Sequence, residues 1–267
     1  MKVSFSPTNN YQTAKNSPSF GAIPMAQYKY LNDKDKNVIV YQLEQKDIPY
    51  LRNISDNIDG FYRHYDINDD STKQVVKEAV DAGIEILKDE QQLEDKTRIL
   101  LALSEGEPSA ILIGNARKTN KKGGLHYSSR KNHAENETEL DWLATWNKKI
   151  MGEGKVIVCE YFKTLARDGF NSVYVRSEVP EKSFAFEFYK KMGFKPLSEK
   201  QREIFRENDN QYVIGQYDEE GDMIIPMIAK SNDISRTLDK RCKELKRKEL
   251  PNQYSVDLPL CRFDVNG

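Results

Sequence analysis

The chain has 267 residues, enough for one or two domains with a proper core, and its 41 basic and 42 acidic residues leave a net charge near −1. Balanced charge offers no global field to recruit nucleic acid or a membrane surface, and no apolar run approaches the roughly 18 residues needed to cross a bilayer. The first 20 residues, broken by Ser, Asn, Pro and Lys, lack a signal-peptide core, and the widely spaced Cys159, Cys242 and Cys261 are read as reduced thiols of a cytoplasmic protein.

Residues 1–36 are rich in Ser, Asn, Pro and Gln without a sustained period, and are expected to be a flexible N-terminal tail. The run 37–43 reads as a strand. Asp47 can cap a helix over 49–56, and Ser71 or Thr72 opens a second in which Val75, Val76, Ala79, Val80, Ile84 and Leu87 recur at helical spacing. Gly83 weakens that helix without excluding it. Residues 97–104 and 109–117, around Glu105-Gly106-Glu107-Pro108, predict an antiparallel hairpin. The connection 118–136 carries Lys121, Lys122, Arg130 and Lys131, and is either a solvated loop or a basic flap over an anionic ligand. His126 and His133 lie there seven apart with no cysteine pair nearby, so they read as surface histidines and no metal is expected.

Residues 139–146 alternate like a strand, with Leu140, Trp142, Ala144 and Trp146 assigned to one face. Gly152 and Gly154 follow, then a helix with Glu160, Lys163, Thr164 and Arg167 on its polar side and Val158, Phe162, Leu165 and Ala166 opposite. Glycines before a helix allow close backbone approach, and the first helical amides are unpaired at the positive end of the dipole. Together they suit a phosphate or pyrophosphate. Residues 172–177 predict another strand. Pro180 offers a helix start, and Phe184, Ala185, Phe188 and Met192 lead to Gly193-Phe194.

The order strand, glycine loop, helix, strand, helix resembles the GNAT acetyltransferase superfamily. Two motifs carry the resemblance. The loop Lys149-Ile150-Met151-Gly152-Glu153-Gly154 is similar to that family's Arg/Gln-x-x-Gly-x-Gly/Ala, and Tyr189-Lys190-Lys191-Met192-Gly193-Phe194 matches its Tyr-x-x-x-Gly-Phe helix end. The resemblance spans about 37–197. It implies an α/β (α+β) fold with a mixed, mostly antiparallel central sheet flanked by helices, over a core at 37–198 and a C-terminal segment at 199–267. It implies acetyl-CoA as donor and direct attack by an amine acceptor, small molecule or protein. The pyrophosphate would fall on Lys149, Ile150, Gly152, Glu153, Gly154 and Lys155, and the pantetheine arm on the strand end Leu143, Ala144 and Thr145. Tyr189 would donate a proton to the leaving thiolate, since a phenol with pKa near 10 stays protonated at neutral pH. Glu139 is the implied base, with Asp141 and Glu178 as rivals. Lys182 stands where many members have an asparagine touching the cofactor. This chain also departs at Lys149, which loses the guanidinium fork, and at Glu153, a carboxylate between the glycines that must turn away from phosphate.

Beyond the core, 212–217 and 223–229 flank an acidic turn, and 233–248 predicts a charged helix with Ile234, Leu238, Cys242 and Leu245 as its stripe. Residues 254–262 read as a last strand. Either the hairpin or this strand could close the sheet. Two functions stand side by side: an acetyl-CoA-dependent N-acetyltransferase, and a non-catalytic GNAT-like acyl-CoA-binding or protein-interaction module. Nucleic acid and membrane are not expected partners, and monomer and homodimer both fit.

Overall fold

The computed structural model describes residues 21–30, 37–89, 97–115, 137–146, 152–170, 172–175, 184–199, 226–251 and 258. In chain order the elements are β1 (Ile23–Tyr30), β2 (Asn37–Gln42), α1 (Ile48–Asp56), α2 (Ile58–His64), α3 (Asp70–Lys88), β3 (Arg98–Ser104) and β4 (Glu107–Asn115). There follow β5 (Glu137–Thr145), α4 (Glu153–Arg167), β6 (Ser172–Val175), α5 (Phe184–Lys191), β7 (Lys195–Pro196), β8 (Met227–Lys230), α6 (Ser231–Arg241) and β9 (Leu245–Glu249). Among the described residues one mixed sheet of nine strands runs β7-β8-β6-β5-β4-β3-β2-β1-β9. Neighbours are antiparallel except β5 and β6, which are parallel.

The sheet is apolar on both faces, so its central strands read as near-continuous hydrophobic runs. Leu100, Ala102, Ala110 and Leu112 pack toward α4, while Ile99, Leu101, Leu103, Ile111 and Ile113 join α1, α2 and α3 on the other face. Asp69, not Ser71 or Thr72, caps α3: its carboxylate accepts from the Thr72 amide at 2.8 Å. The bond satisfies one of the amides that the first turn of a helix leaves unpaired. Gly83 has a packing reason, since a Cβ there would lie 3.1 Å from Leu51 Cδ1 of α1. The hairpin turn is only Glu105-Gly106, both at positive φ (51° and 87°), the conformation that matches strand twist in a two-residue loop.

Three expectations are corrected. The tail assigned to 1–36 does not extend over Ile23–Tyr30, which is a strand flanked by β2 and β9, with Met25, Ala26 and Tyr28 buried. Its ladder partners lie next door in sequence and at the far end of the chain, so composition could not reveal them. The helix expected over 233–248 stops at Arg241, and Leu245–Glu249 is instead captured by the free edge of β1. Cys159 and Cys242 are not reduced thiols: packing of α6 on α4 brings their Cα atoms to 6.4 Å and they form a disulfide. The second half of the predicted 223–229 run contributes to β8, which lies between β6 and β7. Residues 212–217 lie outside the described residues, as does nearly all of 254–262.

The helix after the glycines also differs from its predicted polar face. Glu160 and Thr164 are buried, each 2% exposed: β1 and β9 close over Glu160, and the Thr164 hydroxyl donates to the Glu160 carbonyl at 3.1 Å. Arg247 of β9 donates from Nε and Nη2 to the two carboxylate oxygens of Glu160 at 2.8 and 2.9 Å. Tyr28 of β1 donates its hydroxyl to Oε2. A buried carboxylate held in this way ties the outermost two strands to the central helix.

Candidate functional site

The site begins with an irregularity in β5. Its register against β4 slips between Trp142 and Leu140, opposite Ile113 and Gly114. The extra residue, Asp141, is a β-bulge, and it inverts the side-chain alternation. Leu140 therefore packs with α4, while Trp142, Ala144 and Trp146 face the opposite core, correcting the single face expected for all four. Gly114 is required at the slip, because a Cβ there would sit 2.1 Å from Tyr161 Oη. That hydroxyl bonds Thr138 Oγ1 at 2.8 Å and the Glu139 carbonyl at 3.3 Å.

β5 then parts from β6. The two strands pair only at Glu137↔Ser172, Thr138↔Val173 and Glu139↔Tyr174. From Leu140 to Thr145 the β6-facing edge of β5 has no strand partner among the described residues. The gap opens toward the N-terminus of α4. There Gly152 is the N-cap at φ 105°, a left-handed value that any β-carbon would strain, and it offers no side chain to the first amides. Gly154 keeps the gap clear: a Cβ would lie 3.2 Å from Thr145 Cγ2 and 3.4 Å from Phe188 Cζ.

These parts surround a cavity of about 660 Å³. Its walls are Leu143, Thr145 and Trp146 at the end of β5, the Gly152 to Lys155 turn, one side of α5, and Arg241 of α6. The expected Leu143, Thr145, Gly152, Glu153, Gly154 and Lys155 all line it. Ala144 does not; it is 2% exposed and packs in the opposite core. Lys149, Ile150 and Lys182 lie outside the described residues, as does Glu178.

Tyr189 also lines the cavity, with its ring packed between Phe188 and Phe194 at centroid distances of 5.5 and 5.3 Å. Burial pushes its phenol well above the usual range, so it stays protonated. Its hydroxyl makes no hydrogen bond among the described residues. Glu139 is 6% exposed and is not part of the cavity wall; it occupies the last paired position before the strands diverge. Asp141 is half-buried. Glu153 is 2% exposed, and its charge lies near the buried Tyr30 hydroxyl of β1, whose phenol is pushed up by burial first and by Glu153 second. Tyr30 Oη also sits 3.0 Å from where a Gly152 Cβ would be, so β1 buttresses the glycine turn from behind.

Sequence reasoning missed seven wall residues: Trp146, Lys191, Arg241 and the apolar Phe184 (87% exposed), Ala185, Phe188 and Met192, the last four having been assigned only to a helix stripe. Lys191 lies inside the Tyr-x-x-x-Gly-Phe stretch and could have been proposed from it. Arg241 had no signal, because only folding brings α6 against α5. Among the described residues no group of three or more His, Cys, Asp or Glu is arranged to hold a metal ion, and no helix is long and apolar enough to cross a membrane.

No protein-family model matches the chain, and no curated protein does. Solved structures similar to it include an uncharacterized protein from Bacillus halodurans, 8% identical over 81% of this chain and 95% of that one, with a TM-score of 0.49. Another is the PaiA N-acetyltransferase of Thermoplasma acidophilum in complex with coenzyme A, 14% identical over 72% and 98% of the two chains, TM-score 0.41. A third is an acetyltransferase from Streptococcus agalactiae, 16% identical over 72% and 98%, TM-score 0.44.

Proposed function

We propose that the chain is an N-acetyltransferase that uses acetyl-CoA as donor and an amine as acceptor. The observation that carries this reading is the junction itself. Among the described residues, the β5 edge without a strand partner, the α4 N-terminus without a side-chain cap and the Tyr189 hydroxyl without a hydrogen bond meet in one cavity. Each part suits one piece of the donor. The α4 amides and dipole suit the pyrophosphate. The open β5 edge suits the pantetheine amides, which can pair with it as a short added strand.

Tyr189 suits the thioester end. In the proposed step the neutral amine attacks the acetyl carbonyl carbon, a C–N bond forms and the C–S bond breaks. The departing thiolate takes the phenol proton, and the ammonium proton passes to a base. Glu139 is the proposed base by resemblance, supported by its place at the fork of β5 and β6. Because it is buried and off the cavity wall, a water would have to relay the proton.

One observation favours a second reading, a non-catalytic acyl-CoA-binding module: among the described residues, no carboxylate of the resemblance other than Glu153 lines the cavity. Calorimetric titration with acetyl-CoA, on the chain and on Gly154→Glu, tests the donor site. The substitution puts bulk and negative charge into the gap between Thr145 and Phe188. Micromolar binding that the variant loses, with its circular dichroism unchanged, supports the proposal. Binding followed by no transfer to any amine in a broad panel moves the conclusion to the second reading. No binding by the unaltered chain sinks both.

A further inference from the structure

The C-terminal segment lies beyond the part of the chain that resembles the acetyltransferase core, yet it supplies one wall residue of the cavity, Arg241 at the end of α6. How it gets there is legible in the contacts. The Thr237 hydroxyl donates to the Met192 carbonyl at 3.0 Å, seating α6 on the end of α5. Gly193 makes this approach feasible, since a Cβ would meet Thr237 Oγ1 at 2.2 Å. Arg241 stands one turn beyond Thr237 on the same face of α6 and so is carried toward Lys191 and the cavity. The next residue, Cys242, is bonded to Cys159 of α4, which fixes this corner against the helix that begins at the glycine turn.

The charges here are uneven. Lys155 is paired with Glu244, and that carboxyl is held below its usual range by Lys155 first and by Arg241 as well. Lys191 and Arg241 are both exposed and form no ion pair among the described residues. Both therefore bring positive charge to the cavity wall, Arg241 sharing Glu244 with Lys155 and Lys191 standing without an ion pair among the described residues. The end of α6 contributes about half a negative charge, which offsets only a part of that charge. The β5 part of the wall, Leu143 and Thr145, is neutral.

The donor has a matching asymmetry. From its pyrophosphate one arm, the pantetheine, is neutral and amide-bearing. The other carries a ribose 3′-phosphate, a monoester with roughly −1.5 to −2 charge at neutral pH, as phosphate monoesters have. We propose that Arg241, with Lys191, binds the 3′-phosphate of the donor nucleotide, so that the C-terminal helix makes the site selective for the 3′-phosphorylated cofactor. This assignment rests on the acetyl-CoA reading above. The guanidinium supplies paired N–H donors in the planar fork that phosphate oxygens accept, and Lys191 acts as a point charge beside it.

The test compares coenzyme A with 3′-dephospho-coenzyme A by calorimetry on the full chain, Arg241→Ala, Arg241→Lys and Lys191→Ala. The unaltered chain is expected to prefer coenzyme A by at least tenfold. Arg241→Ala is expected to weaken coenzyme A on the order of tenfold, as loss of a charge-assisted pair does, and to leave the dephospho form unchanged. Lys191→Ala should shift the same ratio by less, and Arg241→Lys should recover part of it. If Arg241→Ala weakens both ligands equally, or the preference survives in it, Arg241 does not read this phosphate and the inference fails while the donor site stands. If the unaltered chain binds neither ligand, the acetyl-CoA reading fails and takes the inference with it.

Discussion

Arg247→Met leaves the Glu160 carboxylate buried without its guanidinium. The consequence can be sized from the geometry. The Glu160 side chain is 3% exposed and takes two N–H donors from Arg247 and one hydroxyl from Tyr28. Removing one partner of a buried pair costs about 3–5 kcal/mol, because the other charge stays in low dielectric uncompensated. The Arg247 side chain is 20% exposed, so water can enter and the low end, about 3 kcal/mol, is the expected value. The double variant Glu160→Gln/Arg247→Met removes the charge as well and should recover at least about 2 kcal/mol of that loss, since a neutral amide beside an apolar stem carries only the smaller penalty of a polar group. Urea unfolding of the two single variants and the double, followed by tryptophan fluorescence, reads the coupling directly. A cost below about 1 kcal/mol for Arg247→Met, or additive single effects, would refute the claim that this pair staples β1 and β9 to α4.

Tyr189→Phe should lower kcat about 100-fold or more, the lower range for loss of a general acid, with little change in acetyl-CoA affinity; an unchanged kcat in steady-state assays removes the tyrosine from the reaction. Burial raises the phenols of Tyr28, Tyr30, Tyr161 and Tyr189, so they stay protonated when folded while the unfolded chain ionises near its ordinary pKa of about 10. Their contribution to stability is therefore complete below about pH 10 and falls as pH rises above it, by about 1.4 kcal/mol per phenol at pH 11. Melting temperatures measured from pH 9 to 11 should drop steeply, and a flat profile contradicts the burial. The Cys159–Cys242 bond spans 83 residues, and closing a loop of that length stabilises by about 4–5 kcal/mol in the chain-entropy account. Alkylation in denaturant without reductant should modify one thiol per chain and with reductant all three; three thiols without reductant would show that the bond does not form.

Local patterns were legible because they depend on neighbours. The Ile99 to Leu103 and Ala110 to Ile113 runs declare buried strands, and Val76, Ala79, Val80, Ile84 and Leu87 declare the face of α3 that meets the sheet. Gly152 and Gly154 before an apolar helix declare a turn able to hold an anion. What failed was whatever depends on a partner distant in sequence. The fate of 23–30 and of 245–249 was decided by each pairing with the other across more than 200 residues of chain. The facing of Leu140 turned on a bulge at Asp141 that no alternation rule contains.

For the site the division is similar. The sequence by itself determined the chemistry of the central turn: two glycines, a following helix with free amides, and a tyrosine on the next helix. These are consequences of residue type and spacing along one stretch of chain. Only the tertiary structure decided that β5 and β6 part after Glu139 and that Glu139 stays off the cavity wall. It alone made Glu160 a buried partner of Arg247 rather than a solvated charge, and brought Arg241 to the cavity from a distant helix. A cavity wall and a desolvated charge are properties of surfaces that meet, and the meeting is set by packing between elements far apart in sequence.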